Sequence, residues 1–260
     1  MTNIAVVQAR NGSTRFPRKV LADLDGRPML VHILERLARA KTIDGIVVAT
    51  TVGAVDDEIA ALASAHGAGV TRGSEHDVLS RYVTAARDQA ADVIVRITAD
   101  CPLTDPEIVD MVVNTRAEQN ADYAANVEPP TYPEGYDVEV LTSACLFRVD
   151  REAVQPYERE HVTVRVREHL SDYRTALVAY TRDISWMRLT VDVPADLARI
   201  ARLLEILPSS PPPDFAAVVA AFESDPALQD QRGLPLRNER YHAQRDAARG
   251  LPGSELSGGA

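Results

Sequence analysis

The chain has 260 residues, a formal net charge of −10 and 45% hydrophobic residues, which suits one large domain, or a domain with a small lobe, around a sizeable core. The acidic balance excludes nonspecific nucleic-acid binding, which needs a broad basic surface. No apolar run is long enough to span a bilayer, no secretory h-region follows Met1, and Cys101 and Cys145 are too few for a disulfide framework and lack metal-ligand spacing, so a reducing cytoplasm is the expected compartment.

The first predicted strand, residues 4–7, leads straight into a loop carrying Ala9, Arg10, Gly12, Ser13, Thr14, Arg15, Arg18 and Lys19, with no acidic residue before Asp23. Glycine and hydroxyl residues let backbone N–H groups approach phosphate oxygens, and the cations neutralise them. Ligands of open α/β sheets sit where strands end, so this loop is expected to hold a polyanion such as a nucleotide triphosphate. A helical stripe follows (Met29, Leu30, Ile33, Leu34, Leu37), then a β-branched strand over residues 46–51 and a second stripe (Ile59, Leu62, Ala63). Arg72-Gly-Ser-Glu-His-Asp77 opens a third helix with Val78, Leu79, Tyr82, Val83 and Ala86 on one face. Its N-terminal N–H groups could face a nucleotide, or Asp77 could simply pair with Arg81 one turn on. Residues 93–98 form a buried strand ending in Asp100, a hard-oxygen ligand at a sheet edge of the kind Mg²⁺ prefers. Asp105-Pro106 reads as the cap of a fourth helix.

Beyond about residue 120 the rhythm loosens. Strands are expected over residues 123–127, 137–141, 176–180 and 187–191, and helices over 158–170, 194–207 and 215–222. The 187–191 strand also ends in a carboxylate, Asp192, so two aspartates remote in sequence could converge on one Mg²⁺. Asp196 lies in the first turn of the following helix, where it complements the dipole. Cys101 has no partnering base nearby and reads as a buried thiol. The strand–helix alternation predicts an α/β protein with a mixed, mostly parallel sheet and helices on both faces. Residues 1–225 form the domain, divided into a nucleotide-binding half (1–120) and an acceptor-side half (121–225). Residues 226–260 are a polar extension, and residues 251–260 are expected to be disordered.

The loop Ala9-Arg10-x-Gly12-Ser13-x-Arg15-x-Pro17-x-Lys19 resembles the A-R-x-G-S-x-R-x-P-G-K signature of the cytidylyltransferases that make CMP-activated sugar acids, the CMP-KDO and CMP-sialic acid synthetases. It looks closest to the spore-coat polysaccharide branch, with Arg18 where that pattern has glycine. The Asp100 strand end and Val191-Asp192-Val-Pro194-Ala-Asp196-Leu197 resemble further segments of that family over residues 3–205. The resemblance implies a Rossmann-like, GT-A-type nucleotidyltransferase fold and the use of CTP. It implies phosphate binding by Arg10, Arg15 and Lys19, Mg²⁺ on Asp100 and Asp192, and Ser74 and Asp77 near base and ribose. A homodimer is also implied, with the second-half strands and residues 134–139 at the contact.

The expected reaction is attack of an acceptor oxygen on the α-phosphorus of CTP, with departure of pyrophosphate stabilised by cations. The acceptor is expected to be a small anion: a sugar acid, sugar phosphate or phosphonate. Arg159 and His161 are the cations nearest the acidic 134–139 segment and so the candidates to bind it, although Arg159 could equally pair with Glu158 or Glu160. Another NTP with a sugar-1-phosphate, a metal-dependent glycosyltransferase and a noncatalytic nucleotide-binding regulator are the alternatives.

Overall fold

Uninterrupted apolar runs become central strands when both sheet faces are covered, and that is their fate here. The computed structural model describes residues 1–208 and 212–250, so the disorder expected for residues 251–260 lies outside the described residues. The first half runs β1 (Asn3–Gln8), a small hairpin of β2 (Asp23–Leu24) and β3 (Arg27–Pro28), α1 (Met29–Leu37), β4 (Gly45–Thr51), α2 (Asp57–Ala65), β5 (Gly69–Gly73), α3 (Val78–Asp88), β6 (Val93–Thr98) and α4 (Pro106–Glu118). The second half continues with β7 (Tyr123–Ala125), β8 (Glu139–Thr142), α5 (Ser143–Glu152), α6 (Pro156–Glu160), α7 (Val164–Glu168), β9 (Thr175–Leu177), α8 (Pro194–Ile206), α9 (Phe215–Ser224), α10 (Pro226–Gln229) and α11 (Glu239–Ala248).

Seven strands form one sheet in the order β5-β4-β1-β6-β8-β7-β9. Only β8 runs against its neighbours β6 and β7, which makes the sheet mixed and mostly parallel as expected. Because successive strand residues point to opposite faces, β1 feeds two cores. Ala5 and Val7 pack with Leu30, Ile33, Val109, Ile200 and Phe222 on one side. Ile4 and Val6 pack with Leu79, Tyr82, Leu146 and Val149 on the other. Asp105 is the expected cap of α4, accepting from the N–H groups of Glu107 and Ile108 at 2.8 and 3.2 Å. Its second oxygen accepts from Phe215 N–H at 2.9 Å and so fixes the start of α9.

Three expectations need correction. Residues 187–191 are extended but form no strand, meeting residue 134 only through an isolated bridge at Arg188. Their hydrogen bonds go to loops: Glu134 N–H to the Met187 carbonyl, Leu189 N–H to the Glu134 carbonyl and Val191 N–H to the Asp100 carbonyl. Gly135, at φ +108°, permits this approach, since a Cβ there would collide with the Leu189 carbonyl. The helix expected over residues 158–170 is broken into α6 and α7 because Val162 turns left-handed at φ +57° while its side chain is fully buried. Burial of an apolar side chain outweighs the backbone cost at that point. Finally, residues 134–139 are largely buried within the chain, which removes them as a subunit contact.

Candidate active site

The basic loop leaves β1 at the C-terminal edge of the parallel strands, where Ala9 is buried and its N–H donates to the Ala49 carbonyl at 3.1 Å. Asp56, only 1% exposed, fixes the loop's path. It accepts from Asn11 N–H at 2.7 Å and from the Thr51 hydroxyl at 2.5 Å, while the Asn11 amide donates to the Val55 carbonyl at 2.6 Å. Ser13 Oγ accepts from Phe16 N–H at 3.3 Å. A Cβ on Gly12 would lie 2.9 Å from the Glu75 carboxylate, so glycine leaves room there. Arg18 adopts φ +60°, the left-handed conformation that explains the glycine of the signature pattern, and its exposed guanidinium reaches Glu58 at 2.5 Å.

Lys19 is the centre of the site. Its Nζ lies 3.1 Å from Asp100 Oδ2, 3.0 Å from Asp192 Oδ1 and 2.8 Å from the Val191 carbonyl. The fold thus joins the signature loop, the end of β6 and the segment before α8 at one nitrogen. Burial favours the neutral forms, but the opposite charges prevail: Asp100 is held down at about 2 by Lys19, and Lys19 is held above its ordinary value by both aspartates. Arg15 contacts the same Asp192 oxygen at 3.2 Å. Arg188 donates to the other Asp192 oxygen at 3.0 Å, to Glu134 at 2.6 Å and to Asp196 at 2.9 and 3.1 Å. One guanidinium therefore serves three carboxylates. Partly buried Glu134 shows the shortage: desolvation raises its carboxyl to about 7 in spite of Arg188.

The oxygens around Lys19 fit a divalent cation. Asp100, Asp192 and Val191 present hard donors to a single point, and Mg²⁺ characteristically takes one or two carboxylates and completes its shell with phosphate and water. Among the described residues no group of three or more His, Cys, Asp or Glu side chains forms a metal cage.

The remaining predicted residues form a second cluster. Ser74 Oγ accepts from Asp77 N–H at 3.2 Å, and Asp77 caps α3 by accepting from Ser80 N–H at 2.9 Å. The Asp77–Arg81 pair does not form. Asp77 instead accepts from Arg159 Nε at 2.7 Å, and Arg159 also donates to the Asp150 carboxylate at 2.8 Å and carbonyl at 3.1 Å. Arg159 therefore pairs with neither Glu158 nor Glu160; Glu158 caps α6 by accepting from Val154 and Gln155 N–H groups. His161 bonds Gln244 at 2.7 Å, and burial lowers its ring to about 4, so it is neutral near pH 7. Arg10 contacts Glu75 at 3.0 Å and Glu160 at 3.7 Å. Cys101 and Cys145 are buried thiols, both pushed upward by burial and away from nucleophilic chemistry.

Several site residues escape sequence reasoning. Asp56 reads only as part of an acidic helix start, and Arg188 only as a residue within a strand. The extension contributes most. Glu239 meets Arg15 at 3.4 Å, Arg240 meets Glu160 at 2.7 Å, Gln244 joins His161, and Arg237 meets Asp137 at 2.6 Å. Helix α11 thus packs against the signature loop and the end of α6. Its polar sequence carries only one apolar anchor, Tyr241, so no periodic signal marks it.

Comparison with known proteins agrees with this geometry. The sequence profile of the family described as cytidylyltransferase matches residues 4–221. The spore coat polysaccharide biosynthesis protein SpsF of Bacillus subtilis is 30% identical over 234 residues, 87% of this chain and 96% of that protein. The 3-deoxy-manno-octulosonate cytidylyltransferase of Pelobacter propionicus is 37% identical over 115 residues, 44% of each chain. Among solved structures, a cytidylyltransferase from Leptospira borgpetersenii serovar Hardjo-bovis superposes with a TM-score of 0.86 at 30% identity, covering 91% of this chain and all of that one. From the strand-end carboxylates, the basic loop and this likeness in sequence and fold, the chain belongs to the cytidylyltransferase family and is a nucleotidyltransferase that uses CTP.

Proposed function

We propose that the enzyme transfers CMP from CTP to a small anionic acceptor, releasing pyrophosphate, with Mg²⁺ held by Asp100 and Asp192. The observation that carries this reading is the meeting of Lys19, Asp100 and Asp192 at one point beside a loop of unopposed basic sequence. Bound there, Mg²⁺ would neutralise charge on the phosphates. Arg10, Arg15 and Lys19 bind the β- and γ-phosphates and stabilise the charge that accumulates as pyrophosphate departs. Arg188 fixes Asp192, and Asp56 keeps the loop in the shape that presents its cations. Ser74 and Asp77 sit at the start of α3, beside Arg10 through Glu75, where they serve base and ribose. No covalent enzyme intermediate is needed, in keeping with two buried, protonated cysteines.

A sugar acid is the favoured acceptor, since the 3-deoxy-manno-octulosonate enzymes among the relatives carry that substrate in their name. The chain acts as a homodimer in this reading; β9 lies at the sheet edge with Leu177 exposed, a surface suited to the contact. Pyrophosphate release with four NTPs against sugar acids, sugar phosphates and phosphonates tests the reaction. Release with CTP, Mg²⁺ and one acceptor class is expected. Release that needs no acceptor, or that persists at full rate in EDTA, overturns it.

A further inference from the structure

Neither cation expected to hold the acceptor has charge to spare, because Arg159 is committed to Asp77 and Asp150 and His161 is neutral. Beside α11 lies a cation that is paired only weakly. Arg167, on α7, has a side chain 14% exposed, and its closest ion-pair contact is Glu128 at 3.9 Å, beyond hydrogen-bond reach. Its Nε is buried without a hydrogen-bond partner among the described residues. Two carboxylates act on it, but both are already taken. Asp137 holds Arg237 at 2.6 Å, and Glu139 holds Arg96 and the Tyr123 hydroxyl. Arg167 is thus left with the distant carboxylate of Glu128 alone.

A largely buried guanidinium whose Nε has no acceptor is unfavourable, and an entering anion reduces that cost. Position agrees. Tyr241 of α11 links Arg167 to the site, its ring 5.5 Å from that of His161, whose neighbour Glu160 contacts Arg10 at 3.7 Å. The Tyr241 ring lies 5.3 Å from the guanidinium carbon of Arg167. Tyr241 belongs to α11, outside the family-matched residues 4–221.

We propose that Arg167 binds the anionic group of the acceptor, in a pocket walled by Tyr241 of the C-terminal helix. The inference rests on the transfer reaction proposed above, and two measurements separate them. Steady-state kinetics with wild type, R167Q and R167K, varying acceptor at saturating CTP, should show R167Q raising the acceptor KM roughly 10- to 100-fold with the CTP KM unchanged, the loss expected for one charged hydrogen bond. Lysine should recover part of that loss, which mere repair of packing would not produce. An unchanged acceptor KM in R167Q overturns the assignment even if the enzyme is a cytidylyltransferase. Absence of pyrophosphate release from wild type with every acceptor defeats the transfer reading instead. The Arg167 Nε–H resonance, assigned by its loss in R167Q, then decides separately: it should shift on titration with 3-deoxy-manno-octulosonate or inorganic phosphate. No shift at millimolar concentrations of either overturns the inference.

Discussion

Lys19→Met is the most searching perturbation of the site. The ammonium touches Asp100 and Asp192 at 3.1 and 3.0 Å, so the two oxygens that face it cannot be much more than 6 Å apart. Without it, two carboxylates repel by about 3 kcal/mol at that separation and an effective dielectric near 20. At neutral pH in EDTA the variant should therefore lose about 3 kcal/mol, or roughly 6–12 °C in Tm for a chain of this size. Asp100 ionises at about 2 in the folded protein against 3.8 ordinarily, so its share of stability is present above pH 3.8 and is lost as pH falls towards 2. That share is about 2 kcal/mol, and it should vanish from the variant, whose paired carboxylates instead gain stability on protonation. Mg²⁺ should restore much of the loss, since a cation in hundredfold excess over its Kd contributes about 2.7 kcal/mol. Calorimetry of both proteins in EDTA and in MgCl₂, repeated across acid pH, measures all three effects. CMP binding should survive in the variant while turnover with CTP collapses. A Lys19→Met protein with wild-type Tm in EDTA, or one indifferent to Mg²⁺, would refute a shared cation site at these aspartates.

Arg159→Ala should raise the KM for CTP and lower stability by about 1–3 kcal/mol, because it strands Asp77 and Asp150; a change confined to acceptor kinetics would contradict that role. Gly135→Ala should cost at least about 3 kcal/mol by denaturant unfolding, from the left-handed backbone and the collision with the Leu189 carbonyl; near-native stability would show that the turn has freedom not evident here. The double variant Cys101→Ala, Cys145→Ser should keep substantial turnover, with only about 1 kcal/mol lost to each small cavity. Complete loss of activity in that folded variant would restore a chemical role for a thiol.

What was legible in the sequence follows from the range of the forces involved. Strands β1, β4 and β6 and helices α1 to α4 are fixed by local apolar periodicity, and the signature loop by a dense run of cations after a buried strand, whereas β5, Gly-Val-Thr-Arg-Gly, has too little apolar pattern to be read. The convergence of Asp100 and Asp192 was readable because each follows an apolar segment leading to the same sheet edge. Residues 187–191 show where that reading breaks: the apolar pattern predicts burial correctly, but Glu134 and the Asp100 carbonyl take the hydrogen bonds a strand would need. Charge pairing is harder still. Arg159 has acids on both sides in sequence, yet its partners are Asp77 and Asp150, since Glu158 is consumed as a helix cap and Glu160 turns to Arg240. Such choices depend on distances across the fold that no local pattern encodes. The same reason hides α11, which is polar all round and would not be stable alone. It is held by Tyr241 and by ion pairs to Arg15, Glu160 and Glu168, so one of the residues that fasten the helix belongs to the signature loop. A triphosphate bound by Arg15, as proposed, would therefore compete with Glu239, so phosphate binding and the hold on this helix would draw on the same charge.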